Sequence, residues 1–170
     1  IAGLLIFCFM TDMEPLTPQE MLEKKQWNRD ELVDGLARTL SPQAHRGQRK
    51  KVMTHLKKHM QKFSPDERKQ IRVEAMRRAM HISLDQLRAV KPETRKKMIE
   101  VIQKRAEKNY KRVEKMNQAD KERVKQRLNS KEGQAVIAEM NRIMTSRLSA
   151  DERRDFAPIT KIWLNTLNKL

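Results

Sequence analysis

Cys8 is the only cysteine among 170 residues, so the chain has no intrachain disulfide and no cysteine-based zinc site. Aromatic residues make up 4% of it, too few for a platform on which single-stranded bases could stack. Four glycines and the scarcity of alternating β-branched runs argue against any substantial sheet. No glycine-rich phosphate loop, nucleophile elbow or metal-ligand constellation occurs, and the carboxylates are spaced as helix-start and surface residues. The sequence therefore predicts no enzyme, no catalytic residue and no cofactor.

What remains is charge and helical periodicity. Charged residues are 35% of the chain, the mean hydropathy is -0.85 and the net charge is +16. Little apolar material is left for a large compact core, so an all-α fold of extended helical hairpins or a bundle is expected. The charge is unevenly placed. Residues 1–40 hold four Lys/Arg against seven Asp/Glu, whereas residues 41–63 hold seven Lys/Arg and no acidic residue.

The helices are punctuated by a recurring start. In Phe63-Ser64-Pro65-Asp66-Glu67 the serine can accept from a free N–H, proline suits the first helical position and the acids favour the positive end of the helix dipole. Ser64 and Glu67 have capping-box spacing, and Ile71, Ala75, Met76 and Ala79 behind them form one face. Similar starts occur at Leu16-Thr17-Pro18-Gln19-Glu20, Leu40-Ser41-Pro42, Val90-Lys91-Pro92-Glu93 and Leu148-Ser149-Ala150-Asp151-Glu152. Their spacing is too uneven for a solenoid.

Ile1 to Met10 is uninterrupted apolar sequence, about half of the ~20 residues that cross a bilayer. It reads as the end of a longer transmembrane anchor, with Ile1, Leu4, Leu5, Ile6, Phe7 and Phe9 as the anchor residues. Phe7-Cys8-Phe9-Met10 offers no small-residue cleavage site. The first basic residue after the run is Lys24, which predicts a single-pass protein with its helical domain on the non-cytoplasmic, periplasmic side.

Four regions follow: the end of the anchor (1–10), an acidic linker with short helices at about 17–26 and 28–40 (11–40), a basic helical region (41–90), and a long hairpin with a final helix (91–170). In the basic region, Arg46, Arg49, Lys50, Lys51, Lys57, Lys58 and Lys62 overlie a stripe of Val52, Met53, Leu56, Met60 and Phe63. The expectation is that Lys50, Lys51, Lys57 and Lys58 are spread around that helix, beyond the reach of one flat surface. His55 and His59 have two-histidine metal spacing, but Lys57, Lys58 and Lys62 oppose a cation, so solvated histidines and no metal are expected.

Farther on, Ser83 opens a short helical turn, and Pro92 begins a run reaching about Leu128 with Ile99, Ile102, Ala106, Val113 and Met116 as a coiled-coil-like seam. Glu93–Lys97, Glu100–Lys104 and Glu107–Lys111 have ion-pair spacing. Asn129 to Gly133 is a turn, so the helix at 134–148 should fold back antiparallel on the long one. Phe156, Ile159, Ile162, Trp163 and Leu167 give the last helix its apolar cluster.

The boxes at Leu16–Glu20, Phe63–Glu67 and Leu148–Glu152, each ending in Glu rather than Gln, resemble the LTxxQ boxes of the Spy/CpxP-like periplasmic helical proteins. That resemblance implies a small, basic, all-helical protein acting as a chaperone or in envelope stress or metal resistance. Together these features predict a membrane-anchored interaction protein, a scaffold or accessory subunit or a chaperone-like envelope protein, whose basic segment meets an acidic protein or an anionic surface. The alternative is nucleic-acid binding without sequence specificity, through backbone phosphates alone.

Overall fold

The computed structural model describes residues 16–41 and 46–170, and the apolar run at 1–10 lies outside them. The described residues are all-helical: α1 (Pro18–Glu23), α2 (Arg29–Leu40), α3 (Arg46–Met60), α4 (Pro65–Ala89), α5 (Pro92–Glu114), α6 (Gln118–Asn129), α7 (Lys131–Arg142), a π-helical turn at Ile143–Arg147, and α8 (Ala150–Leu167). None of the described helices is long and apolar enough to cross a membrane.

Four starts are built as their spacing predicts, whereas Lys91 gives α5 no side-chain cap and Ser41 ends α2, its Oγ donating to Arg38 O at 2.8 Å. At α1, α2, α4 and α8 the side chains of Thr17, Asn28, Ser64 and Ser149 accept from the backbone N–H of Glu20, Glu31, Glu67 and Glu152, whose carboxylates accept from the cap N–H in return. Two orphan donors are thereby satisfied at each start.

Three expected boundaries move, inside α4, at the end of α5 and at the start of α7, which is Lys131 rather than Gln134. Ser83 does not open a helix; its Oγ donates to the Ala79 carbonyl at 2.6 Å inside an unbroken α4. The run from Pro92 stops at Glu114, because Asn117 Oδ1 accepts from the Asp120 N–H at 2.8 Å and begins α6 there. Ser130 then serves both neighbours, donating to Arg127 O at 2.7 Å and accepting from the Gly133 N–H at 3.1 Å. Here α7 crosses so close to the end of α6 that a Cβ on Gly133 would strike the carbonyls of Arg127 and Leu128.

The main core lies at the N-terminal end. Leu32, Val33 and Leu36 of α2, Val52, Leu56 and Met60 of α3, and Ile71 and Ala75 of α4 pack with Met21 and Trp27. Burying each of the larger side chains contributes about 1.5–3 kcal/mol. Gly35 leaves the space that Trp27 fills, since a Cβ there would approach Trp27 Cζ3 to 3.0 Å. Met76, expected on the buried face of α4, is 43% exposed instead.

The C-terminal half is paired differently from the expected hairpin. Helix α7 packs on α4 and α8 packs on α5, whereas α5 and α7 do not pair. Both pairings are parallel: Arg77 and His81 of α4 reach Glu139 of α7, Leu84 packs with Ile143, Arg88 reaches Glu152, and at the far end Glu114 lies 3.9 Å from Lys169. Parallel pairing obliges α6 to carry the chain back from the end of α5 to the start of α7. Twelve helical residues span only about 18 Å, so α4 and α5 must meet in a sharp bend at Val90–Lys91.

Arginines hold that elbow by satisfying carbonyls that the broken helices leave without partners. Arg95 donates to Leu87 O at 2.9 Å, Arg88 to Arg147 O at 2.6 Å, and Arg153 to Leu148 O at 2.8 Å. The Glu–Lys pairs expected along α5 do not close; Glu107 instead accepts from Gln103 at 3.0 Å.

Candidate functional site

Two charged regions stand out, one foreseen and one not. The foreseen one is the outer face of α3. Val52, Leu56 and Met60 turn into the core, and Lys50, Lys51, Lys57, Lys58 and Lys62 are all exposed. At about 100° per residue, Lys50 and Lys57 form one row and Lys51 and Lys58 a second, about 100° around the helix, with Gly47 and Thr54 between them. Within each row the residues are about 10.5 Å apart along the axis. The rows share the half of the helix opposite the core, so one partner can meet all four, contrary to the spread expected from the sequence.

Among the described residues none of these lysines forms an ion pair, while other cations around the molecule do. Arg49 is half-buried, and its Nη2 donates to Leu40 O at 3.3 Å, so it belongs to the α2–α3 junction rather than to the rows. Helix α3 contains Arg46, the first residue of its first turn.

His55 and His59 do share a side of α3, with ring centroids 4.6 Å apart, but they are half-buried against Trp27 rather than solvated. His55 Nε2 meets Lys24 O at 3.2 Å, and His59 Nδ1 is buried without a hydrogen-bond partner. Burial, then His55, Lys62 and Lys58, push the His59 pKa below its ordinary value. Among the described residues no three His, Cys, Asp or Glu side chains converge as metal ligands.

The unforeseen region is the seam between α4 and α7. Glu139 has a side chain only 2% exposed and accepts on both oxygens. Arg77 donates to Oε2 through Nε and Nη2 at 3.2 and 3.0 Å, and Arg142 donates to Oε1 through Nε and Nη2 at 3.2 and 2.6 Å. His81 Nε2 lies 2.7 Å from the same Oε1. Arg142, with His81 and Arg77 beside it, lowers the Glu139 pKa to about 2 against the desolvation that would raise it. Glu152 falls to about 2 through Arg88 and its own cap.

Beside Glu139 opens a cleft of about 450 Å³ lined by Val33, Glu74, Arg77, Arg78, His81, Glu139 and Arg142. The cues were present in sequence. Glu139 follows Val136 by three and precedes Ile143 by four, which puts a carboxylate on an apolar face, and Arg77 and His81 are four apart on a facing helix. A reading that assigned every carboxylate to helix starts and surfaces passed over it. No protein-family model, curated protein or solved structure matches the chain.

Proposed function

We propose that this is a basic, all-helical interaction protein whose α3 face binds an acidic protein or anionic surface, in the manner of a scaffold, accessory subunit or chaperone-like envelope protein. The observation that carries the reading is the pair of lysine rows, exposed and without carboxylate partners among the described residues. A loose basic tail would lose much conformational freedom on binding. These lysines sit on a helix already fixed by Leu56, fully buried on its other side, so association need not order their backbone as well. The apolar run at Ile1–Met10 supports a membrane anchor as the second half of the proposal.

Replacing Lys50, Lys51, Lys57 and Lys58 by glutamine tests the first half. Capture of an acidic polypeptide, or of vesicles with anionic rather than zwitterionic headgroups, should weaken at least tenfold at low salt with helicity unchanged. Raising the salt should mimic the substitutions, because screening shortens to about 8 Å at physiological ionic strength. Binding that survives both changes would remove the proposal. Tighter binding to duplex DNA than to either anionic probe, with no preference for one sequence, would favour the nucleic-acid alternative suggested by the +16 charge. Release of the full chain from membranes into the soluble fraction by alkaline carbonate would remove the anchor.

A further inference from the structure

The cleft beside Glu139 has more donors than its carboxylates use. Arg77 and Arg142 each commit Nε and Nη2 to Glu139, and among the described residues their Nη1 groups have no partner. Arg78 makes only a 3.5 Å approach to Asp34, longer than a charge-assisted hydrogen bond. The other acid in the wall, Glu74, is taken by Arg29 at 2.6 Å. Three guanidinium groups from two helices therefore face one opening whose two carboxylates are already engaged.

A buried carboxylate has about four acceptor sites to fill, and Arg77, Arg142 and His81 fill those of Glu139 without using all of their own donors. Beside them stands Arg78, whose nearest carboxylate, Asp34, is at 3.5 Å and is also held by Arg38 at 2.6 Å. Glu139 acts on Arg77 and Arg142 as a fixed brace: paired through two donors each, they are held in place before any ligand arrives. Such prior ordering removes part of the entropic cost of binding. His81 is held as well, with Nε2 at Glu139 and Nδ1 3.4 Å from Arg147 Nη2. The π-helical turn that carries Arg147 is a geometry often found beside functional sites.

We propose that this cleft is a binding site for a phosphate or phosphate-monoester group, held by Arg77, Arg78 and Arg142. A guanidinium presents a planar fork that suits phosphate oxygens, and a phosphate accepts from several directions at once, as donors arriving from α4 and α7 require. A carboxylate offers a single planar edge, and Glu139 already supplies that group to the site. The opening is broad and solvent-exposed, which suits a small anion, and Val33 provides an apolar edge for a small organic substituent. The proposal is independent of the α3 lysines, which lie on a different helix.

The full chain is titrated with inorganic phosphate and with glycerol 3-phosphate at ionic strength fixed by chloride, followed by NMR. Saturable shifts should centre on Arg78, His81 and Arg142. Arg78→Gln, which removes no hydrogen bond to Glu139, should weaken binding about tenfold while the fold is kept. Arg78→Lys should recover only part of that loss, since it restores charge without the fork. Substituting the four α3 lysines should leave the titration unchanged. Vesicles containing phosphatidic acid, compared with phosphatidylcholine alone, separate the two sources. Retention by the former that Arg78→Gln abolishes assigns a lipid headgroup, and phosphate shifts without retention assign a soluble phosphate compound. Shifts no larger than chloride produces, equal affinity in Arg78→Gln, or loss on substituting the α3 lysines instead would each overturn the site.

Discussion

The two halves of the molecule are held together by different physics. Around α1, α2, α3 and the first half of α4, Leu32, Leu56 and Ile71 have no exposed surface, and the core they share draws on four helices. Around α5 and α8 only Ile99 and Val113 are buried; Phe156 packs against the Leu84–Ile143–Leu148 cluster, while Ile159, Ile162, Trp163 and Leu167 are half-exposed, with no third helix over them among the described residues. What the second half lacks in apolar burial it offsets with directed polar contacts: Glu139, Glu152 and the arginines that bind elbow carbonyls. Among the described residues the large core around α2, α3 and α4 is joined only by a smaller buried cluster of Leu84, Ile143 and Leu148. The contrast also places the two proposed sites, since a face on the rigid half can stay fully solvated while a seam built from charges leaves donors to spare.

The largest effect should come from cutting into the dry half. Leu56→Ala leaves a cavity walled by four helices with little freedom to collapse, and should cost about 2–5 kcal/mol in chemical denaturation. Ile162→Ala in the two-helix arm removes a side chain already touching water, and should cost about 1 kcal/mol. Equal losses at the two positions would mean that the arm is covered by something and that the contrast between the halves is wrong.

A middle-sized effect should come from the polar seam. Glu139→Gln removes the charge that orders Arg77 and Arg142, but both arginines are about half-exposed and can return to water. The expected loss at neutral pH is therefore about 1–3 kcal/mol, less than a buried unpaired charge would cause. The pH dependence follows from a folded pKa of about 2 against an ordinary 4.5. A depressed carboxylate pKa gives stability that is present above about 4.5 and is lost as pH falls toward about 2. Wild type and Glu139→Gln should thus differ most above pH 4.5 and converge in acid. A difference that stays constant down to pH 2 would show that Glu139 acts by shape rather than charge.

Local structure was far more legible in the sequence than pairing. The capping boxes at Thr17, Asn28, Ser64 and Ser149 depend on residues three apart, so spacing alone defines them. The break at Asn117 was partly visible, since the apolar seam weakens after Met116; its cap partner is Asp120, outside the Glu/Gln pattern that marks the other starts. Which stripe covers which could not be read locally. A short turn near Ser130 suggests that the long helix and α7 are neighbours, but α7 has a better cover in α4, whose Arg77, His81 and Leu84 match Glu139 and Ile143. The lysines of the candidate face were legible as residues, and their gathering on one half of α3 became clear only once Val52, Leu56 and Met60 fixed the buried side.

The smallest effect should sharpen the contrast from within the dry half, where the one flaw is an imidazole. His59 Nδ1 has no hydrogen-bond partner, and the groups facing the ring are His55, Trp27, Lys58 and Lys62, with Lys24 5.6 Å above the Trp27 ring. Nothing among them stabilises a proton on His59, so the folded state holds it neutral and its pKa lies below the ordinary 6.5. As pH falls through 6.5 the unfolded chain takes up the proton first, and stability declines until the folded pKa is reached. That direction is shared with Glu139 but the window begins higher, so a stability profile from pH 7.5 to 2 should begin to fall near 6.5, above the range in which Glu139 contributes. His59→Phe keeps a ring against Trp27 and removes the unpaired nitrogen; it should be neutral or stabilising by about 1 kcal/mol at pH 7. In that variant the descent just below pH 6.5 should shrink while the acid one remains. If the upper descent persists unchanged, the dry half contains no titrating flaw at His59.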